Sequence, residues 1–331
     1  MFSNNLLEAC QASQRIMLTG PSSTDGDSIG ACLGLKYCIE QKTDATVDLF
    51  GTLSFRYAQL PGAEYFKDNK LCIESYDLAI VVDGNRFRLH PTLKSNYDQA
   101  KTSVLIDHHQ GNVATDYHLC WVDPSAPSTC SMIAELSDAW SIEWSQDFAA
   151  AIYTGLVFDT GGFRHSNTTA ATHELASRLL QTGIDGSTIT TRTLYLRQAR
   201  TLPFVAQALN SVQLLEDGQI AVSIIPNQLL SETRCGLGDL EGVIDMLRTL
   251  DGVELACIAT QIRTDRLKVS LRSNRSVDVS QVARGLSSRG GGHARAAGAT
   301  MEGDIEVLKS TLLSTLSSAI NDSAEASNHD H

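Results

Sequence analysis

The chain has 331 residues, 42% of them hydrophobic and 19% charged, with a formal net charge of −12. That length suits two domains with sizeable cores, while the acidic balance argues against a broad grip on long nucleic acid, which needs a basic stripe. No apolar run approaches the roughly 18 residues that cross a bilayer, and the opening stretch "MFSNNLLEACQASQR" lacks the basic-then-apolar pattern of a leader.

In chain order, strand-like apolar runs occur at 16–18 (IML), 46–50 (TVDLF), 78–83 (LAIVVD) and 103–107 (SVLID). Helical stretches lie between and after them, at 29–40, 128–140, 147–158 and 171–183. Near-continuous apolar strands alternating with helices predict an α/β domain over 1–185, a mostly parallel sheet with helices on both faces. Residues 186–216 read as a helical connector in which Pro203 breaks or starts a helix. Beyond it the pattern changes. Strand-like runs at 219–226, 255–262 and 267–272 precede helix candidates at 278–288 and 305–320, predicting a smaller α+β domain over 217–320. The polar, small-residue stretch 321–331 reads as a disordered tail. Eight scattered cysteines, never spaced Cys-x-x-Cys, read as small core residues in a reducing cytoplasm. A zinc ribbon or disulfide framework does not fit them.

Ligand sites of parallel sheets gather at the carboxyl ends of the strands, and aspartates cluster there. Asp25 and Asp27 follow the first strand in "TDGD". Asp83 ends the third in "VVDGN", Asp107, His108 and His109 end the fourth in "LIDHHQ", and Asp159 closes a helix in "LVFDTGG". Singly, each has an ordinary explanation: Asp-Gly forms turns, an Asp caps a helix, and a His pair can be hydrogen-bonded structure. Together they are a convergence of anions without a basic partner. Like-charge repulsion makes that costly, so a multi-cation site accounts for them best. Oxygen donors mixed with imidazole suit Mn²⁺ or Mg²⁺, with zinc or cobalt as further options.

The order and spacing of "DGDSIGA", "VVDGN", "DHH" and "DTGGF" resemble the four motifs of the DHH phosphoesterase superfamily. In the same way "VSLRSN" (269–274) and "RGGGHARAAGA" (289–299) resemble the DHH-associated C-terminal domain. The resemblance covers nearly the whole chain, and its layout is nearest the stand-alone bifunctional oligoribonuclease and PAP phosphatase type. It implies two metal ions per site, Mn²⁺ by preference, with Mg²⁺ or Co²⁺ also suitable. Asp83 would bridge them, Asp25 would bind one, and Asp27, His108 and Asp159 the other. Asp107 would stand behind the site, fixing a histidine or a backbone turn, and His109 would face the substrate phosphate as donor or proton shuttle. The family's first motif begins with a metal-binding histidine four residues before the first Asp, and here that position is Pro21. The first metal would keep Asp25 and Asp83, with water, Ser22, Ser23 or a residue from elsewhere completing a weakened shell.

In the second domain the resemblance implies substrate recognition by Arg272, Ser273, Gly290, Gly291, Gly292, His293 and Arg295. Three successive glycines let backbone N–H groups approach an anion closely; a flexible turn is the alternative. His90, His118, His165 and His173 read as surface or core residues, although His90 and His118 are candidates to complete the first metal shell. The "NRFR" basics after Asp83 either touch a phosphate or form a solvated loop. The expected activity is metal-dependent hydrolysis of short oligoribonucleotides to 5′-mononucleotides, in the cleft between the domains. Linear dinucleotides of the pGpG or pApA type rank first as substrates. Alternatives are removal of the 3′-phosphate of pAp, opening of a cyclic dinucleotide, or a nucleotide-binding regulator that has lost turnover. Expected partners are thus short RNA or a dinucleotide in the cytoplasm, neither long nucleic acid nor a membrane, and an exposed sheet edge leaves room for a homodimer.

Overall fold

Apolar at every position, a strand such as Leu78–Val82 must be covered on both faces. The computed structural model describes all residues except Met1, Ser23, 72–74, 112–113, Glu241 and 330–331, and the backbone alone of 324–329. It divides into two compact units, Met1–Leu196 and Arg197–His331. The elements of the first are α1 (Phe2–Gln11), β1 (Arg15–Thr19), α2 (Gly26–Glu40), β2 (Thr46–Phe50), β3 (Phe66–Lys67), β4 (Leu78–Val82), α3 (Pro91–Gln99), β5 (Thr102–Asp107), β6 (Leu119–Val122), α4 (Thr129–Ala139), α5 (Gln146–Asp159), α6 (Ala170–Gln181) and α7 (Gly186–Thr190).

All six strands run parallel, in the order β3-β2-β1-β4-β5-β6. The order reverses direction between β1 and β4, so the loops after these two strands part and leave a crevice at their carboxyl ends. Side chains alternate between the faces. Ile16, Leu18, Ile80, Val82, Val104 and Ile106 pack in one core with α2, α4 and α5, whereas Met17, Ala79, Val81 and Leu105 pack with Leu93 and Tyr97 of α3.

A glycine stripe brings α2 against α5. Gly26, Gly30 and Gly34 are four residues apart and share a helix face. A Cβ at Gly30 would lie 2.3 Å from the Ala151 carbonyl oxygen, and one at Gly155 of α5 would lie 2.5 Å from Asp27 Oδ1. Backbone therefore meets backbone directly behind the loop that carries Asp25 and Asp27.

The second unit contains α8 (Leu202–Asn210), β7 (Val212–Leu215), β8 (Ile220–Ile225), α9 (Asn227–Thr233), α10 (Val243–Arg248), β9 (Leu255–Arg263), β10 (Arg266–Ser273), α11 (Val279–Leu286), β11 (Gly291–His293), β12 (Ala296–Glu302) and α12 (Ile305–His329). Its sheet has the order β11-β12-β10-β9-β8-β7 and is antiparallel except for the β8–β9 pair. Leu267, Val269 and Leu271 pack with α11 and α12 on one face, and Ala221, Ala256 and Ile258 pack with α8, α9 and α10 on the other.

Several elements differ from the sequence expectation. Helix α2 begins at Gly26 rather than at residue 29, because Asp25 caps it. Residues 186–216 are not helical throughout: Pro203 sits in the first turn of α8, where its missing N–H costs nothing, and Val212–Leu215 joins the second sheet as β7. The backbone of α12 continues to His329, through most of the stretch expected to be unstructured, since extending an existing helix costs little. Six cysteines are buried and Cys120 is half-buried, all unpaired; Cys72 lies outside the described residues. Among the described residues no helix is long and apolar enough to cross a membrane.

The helix contacts make two opposite predictions. Gly30→Ala forces α2 away from α5 and should destabilise the first unit by about 1–3 kcal/mol, measured by urea unfolding. Gly285→Ala in α11, where a Cβ meets nothing within 4 Å, should leave stability unchanged or raise it by about 0.5–1 kcal/mol.

Candidate metal centre

Asp25 is the N-cap of α2. Its Oδ1 accepts from Asp27 N (3.1 Å) and Ser28 N (3.0 Å), while Ser28 Oγ accepts from Asp25 N (2.8 Å). This is a reciprocal capping arrangement, so the turn-and-cap explanation holds for Asp25. Asp27 is different. It is fully buried, and its carboxylate meets the start of α4, Oδ2 accepting from Thr129 N (2.6 Å) and Oδ1 from Cys130 N (2.9 Å).

Asp83 follows β4 with φ of 57°, a left-handed conformation that Asp tolerates better than most residues. Its N–H still reaches the Ile106 carbonyl at 3.0 Å. The side chain is nearly enclosed, and Thr129 Oγ1 donates to Asp83 Oδ1 at 3.3 Å.

Strand β5 ends in Asp107, which is fully buried. Its Oδ1 accepts from His109 N (3.2 Å) and lies 2.8 Å from His109 Nδ1, which places the imidazole proton on that nitrogen. The neighbouring His108 points the other way. Its Nδ1 faces the Ala126 carbonyl (3.3 Å), and its Nε2 lies 2.9 Å from Asp159 Oδ2, 3.7 Å from Asp83 Oδ1 and 4.0 Å from Asp27 Oδ2.

Ligand atoms about 2.1 Å from one divalent ion stand roughly 3.0–4.2 Å apart, and the distances from His108 Nε2 to the three carboxylates fall close to that range. The chemistry agrees. Asp159 Oδ2 is buried and receives no hydrogen bond. With Nδ1–H directed at a carbonyl, a neutral His108 turns the lone pair of Nε2 toward that oxygen. Two facing lone pairs need a proton or a cation between them. Two three-donor groups result, Asp27–His108–Asp159 and Asp83–His108–His109. Among the described residues Asp25 joins neither, although its charge bears on Asp83 more than that of any other neighbouring carboxylate.

The electrostatics carry the same signature. Burial, then the charges of Asp25, Asp27, Asp159 and Asp107, push the Asp83 carboxyl well above the usual range. Burial raises Asp25 as well. Burial and the charge of Asp27 push Asp159 up to about 8. For His108 burial opposes protonation, but the contact with Asp159 and the surrounding carboxylates outweigh it and raise the imidazole to about 9.

Around this group, the remaining candidates are accounted for separately. Pro21 lies against Gly84, where a Cβ would be 3.4 Å from the proline ring, and offers no donor. Ser22 gives both its N–H and its hydroxyl to the Arg88 carbonyl, each at 2.9 Å; Ser23 lies outside the described residues. His90 caps α3, and His118 Nδ1 bonds to Ser103 (2.8 Å), so neither joins the clusters. His165, expected to be a surface or core residue, places Nδ1 3.0 Å from the Asp159 carbonyl, which Asn167 Nδ2 also bonds at 3.3 Å. The sequence reading places a helix start at residue 128 and Cys130 in the core, as observed, but gives Thr129 and Cys130 no part in holding Asp27.

In the second unit Gly290 is required to be glycine, since a Cβ would fall 1.8 Å from the Ala283 carbonyl oxygen. Gly291, Gly292 and His293 form the edge strand β11 rather than a loop, paired with Gly298, Ala297 and Ala296. Ala296 is also opposite Arg272. Arg272 and His293 thus flank one alanine on the same face of the sheet. Ser273 is buried, its hydroxyl donating to the Val277 carbonyl (2.6 Å), and Arg295 Nη1 reaches that carbonyl at 3.4 Å.

The profile of the DHH family, N-terminal domain, matches residues 15–156, and that of the DHHA1 domain matches 217–322. The bifunctional oligoribonuclease and PAP phosphatase NrnA of Thermus thermophilus is 29% identical over 282 residues, 84% of this chain and 82% of that protein. The protein of the same name from Bacillus subtilis is 29% identical over 231 residues, 69% of this chain and 72% of that one. In fold, an exopolyphosphatase-related protein from Bacteroides fragilis matches with a TM-score of 0.86 over 96% of both chains at 22% identity. Exonuclease RecJ bound to manganese matches with a TM-score of 0.53 at 13% identity, over 96% of this chain and 93% of that one. With aspartates and histidines converging at the crevice of the parallel sheet and both domain profiles matched in order, the chain belongs to the DHH phosphoesterase superfamily, its second unit being a DHHA1 domain.

Proposed function

We propose that the protein is a divalent-cation-dependent phosphodiesterase that hydrolyses linear dinucleotides and other very short oligoribonucleotides to 5′-mononucleotides. The observation that carries this reading is the Asp27–His108–Asp159 group, with Asp83 Oδ1 3.7 Å from the same His108 nitrogen, whose spacing and unsatisfied oxygen suit a cation, preferably Mn²⁺. Bound there, divalent cations supply a water acidic enough to attack at neutral pH and offset the negative charge that builds on the phosphate. Asp27, His108 and Asp159 would hold the firmer position, with Asp83 shared between it and a second. Asp25 with Asp83 would hold a weaker one, since Pro21 contributes nothing to it. His109, fixed through Nδ1 by Asp107 and one-third exposed, is suited to give a proton to the leaving oxygen.

Length selection rests on charge. A chain at −12 gives a long polyanion no track, whereas the open face of β10 carries Arg266, Lys268 and Arg272 between its buried leucines and valine. With His293 beside Arg272, that face suits a terminal phosphate. The name shared by the two relatives adds a second reading, removal of the 3′-phosphate of pAp at the same centre.

A panel of labelled diribonucleotides, heptaribonucleotides, pAp and cyclic dinucleotides with Mn²⁺ separates these readings. Dinucleotides should turn over at least about tenfold faster than seven-mers; equal rates on both would overturn the length assignment. Binding without turnover would identify a regulator instead. Asp83→Ala should cost more than the roughly 10–100-fold typical of residues behind a metal's own ligands.

The same groups predict a pH response of the cation-free protein. Unfolded carboxyls titrate near 4 and histidine near 6.5, but the folded protein keeps protons on Asp159 to about 8 and on His108 to about 9. Folded chains thus bind more protons than unfolded ones in this window, and stability falls as pH rises. Melting temperature without cations should drop between pH 6 and pH 9, and Mn²⁺ should raise it more at pH 9 than at pH 6.

A further inference from the structure

Thr129 touches two candidate cation ligands at once. Its N–H donates to Asp27 Oδ2 (2.6 Å) and its Oγ1 donates to Asp83 Oδ1 (3.3 Å). The residue is fully buried at the first position of α4. There the Ser128 cap fixes the backbone by accepting from Ser131 N (3.1 Å), and Cys130 N holds the second oxygen of Asp27. Its side chain is fully buried, and the bond to Asp83 Oδ1 sets the direction of the hydroxyl. Asp27 belongs to one three-donor group and Asp83 to the other, with His108 common to both. Thr129 bonds one member of each.

We infer that Thr129 is a positioning residue that fixes Asp83, the carboxylate shared by both cation positions, relative to Asp27, which serves the firmer one. Its amide places Asp27, its hydroxyl places Asp83, and the covalent frame between them fixes the spacing of the two carboxylates. Two-cation phosphoryl chemistry depends on how the shared carboxylate is held, the ions needing about 3.5–4 Å between them. A hydroxyl is also the right kind of tie. An Arg or Lys would hold the carboxylates together by cancelling their charge, whereas a neutral donor holds them and leaves the charge for the cation. The inference rests on the cation reading of the centre and is independent of which phosphoester is cleaved.

The test titrates the purified full chain with Mn²⁺ alone by calorimetry, with no substrate present. Thr129→Val keeps the amide and branched shape but removes the hydroxyl; Thr129→Ser keeps the hydroxyl and removes the methyl. The valine variant should bind Mn²⁺ roughly 10–100-fold more weakly and the serine variant within about threefold of the unaltered chain. Should the valine variant fail to fold, Thr129→Ala takes its place in the comparison. Equal Mn²⁺ affinity with and without the hydroxyl overturns the proposal, and so does a serine variant as weak as the valine one, which would make the methyl contact the cause. If the unaltered chain binds Mn²⁺ but cleaves no dinucleotide, the substrate assignment fails while this inference is still decided by the titration. If the unaltered chain binds no Mn²⁺, both fail.

Discussion

Carboxyl groups cannot be gathered in a protein interior unless something answers their charge. Asp27, Asp83 and Asp107 are almost wholly enclosed, with Asp25 and Asp159 beside them, and the geometry of the first unit is organised around carrying that load. All but Asp159 are anchored through a donor that is neutral overall: a helix start for Asp27, a hydroxyl for Asp83, a capping box for Asp25, an imidazole and its amide for Asp107. Anchoring of this kind restrains the positions of the anions and leaves their mutual repulsion in place. The raised carboxyls of Asp25, Asp83 and Asp159 record burial first and the repulsion of their neighbours second; a cation placed among them would relieve both. The strand order explains how the loops bearing them can come together at all, since β1 and β4 are neighbours whose connections leave in opposite directions.

Much of this was legible in the chain because the first unit obeys simple rules. Parallel strands covered on both faces are continuous apolar runs, and four of the six were read with nearly their observed bounds. The two short ones were not. β3 is two residues long, and β6 is half-buried throughout and shows no alternation. In the second unit β11 and β12 are made largely of glycine and alanine, residues with weak strand preference, and their pairing depends on β10 rather than on their own sequence.

The candidate site was readable to the extent that its members end strands or helices. Asp25 and Asp27 show the limit. Adjacent in "TDGD", they look equivalent, yet one caps its own helix while the other is held by backbone 102 and 103 positions away. A cap is local and can be seen in sequence; a bond across a hundred residues cannot. Thr129 was hidden for the same reason, and so was the contact of His165 with the Asp159 carbonyl, which imposes no spacing rule.

The glycine stripe between α2 and α5 also limits which substitutions the chain can absorb. With Gly30 against the Ala151 carbonyl oxygen, and Gly155 against Cys130 Sγ and Asp27, a side chain at either position must push apart the helix start that carries Asp27 and the helix that ends in Asp159. A change at a residue with no charge of its own would thus still move two carboxylates relative to each other.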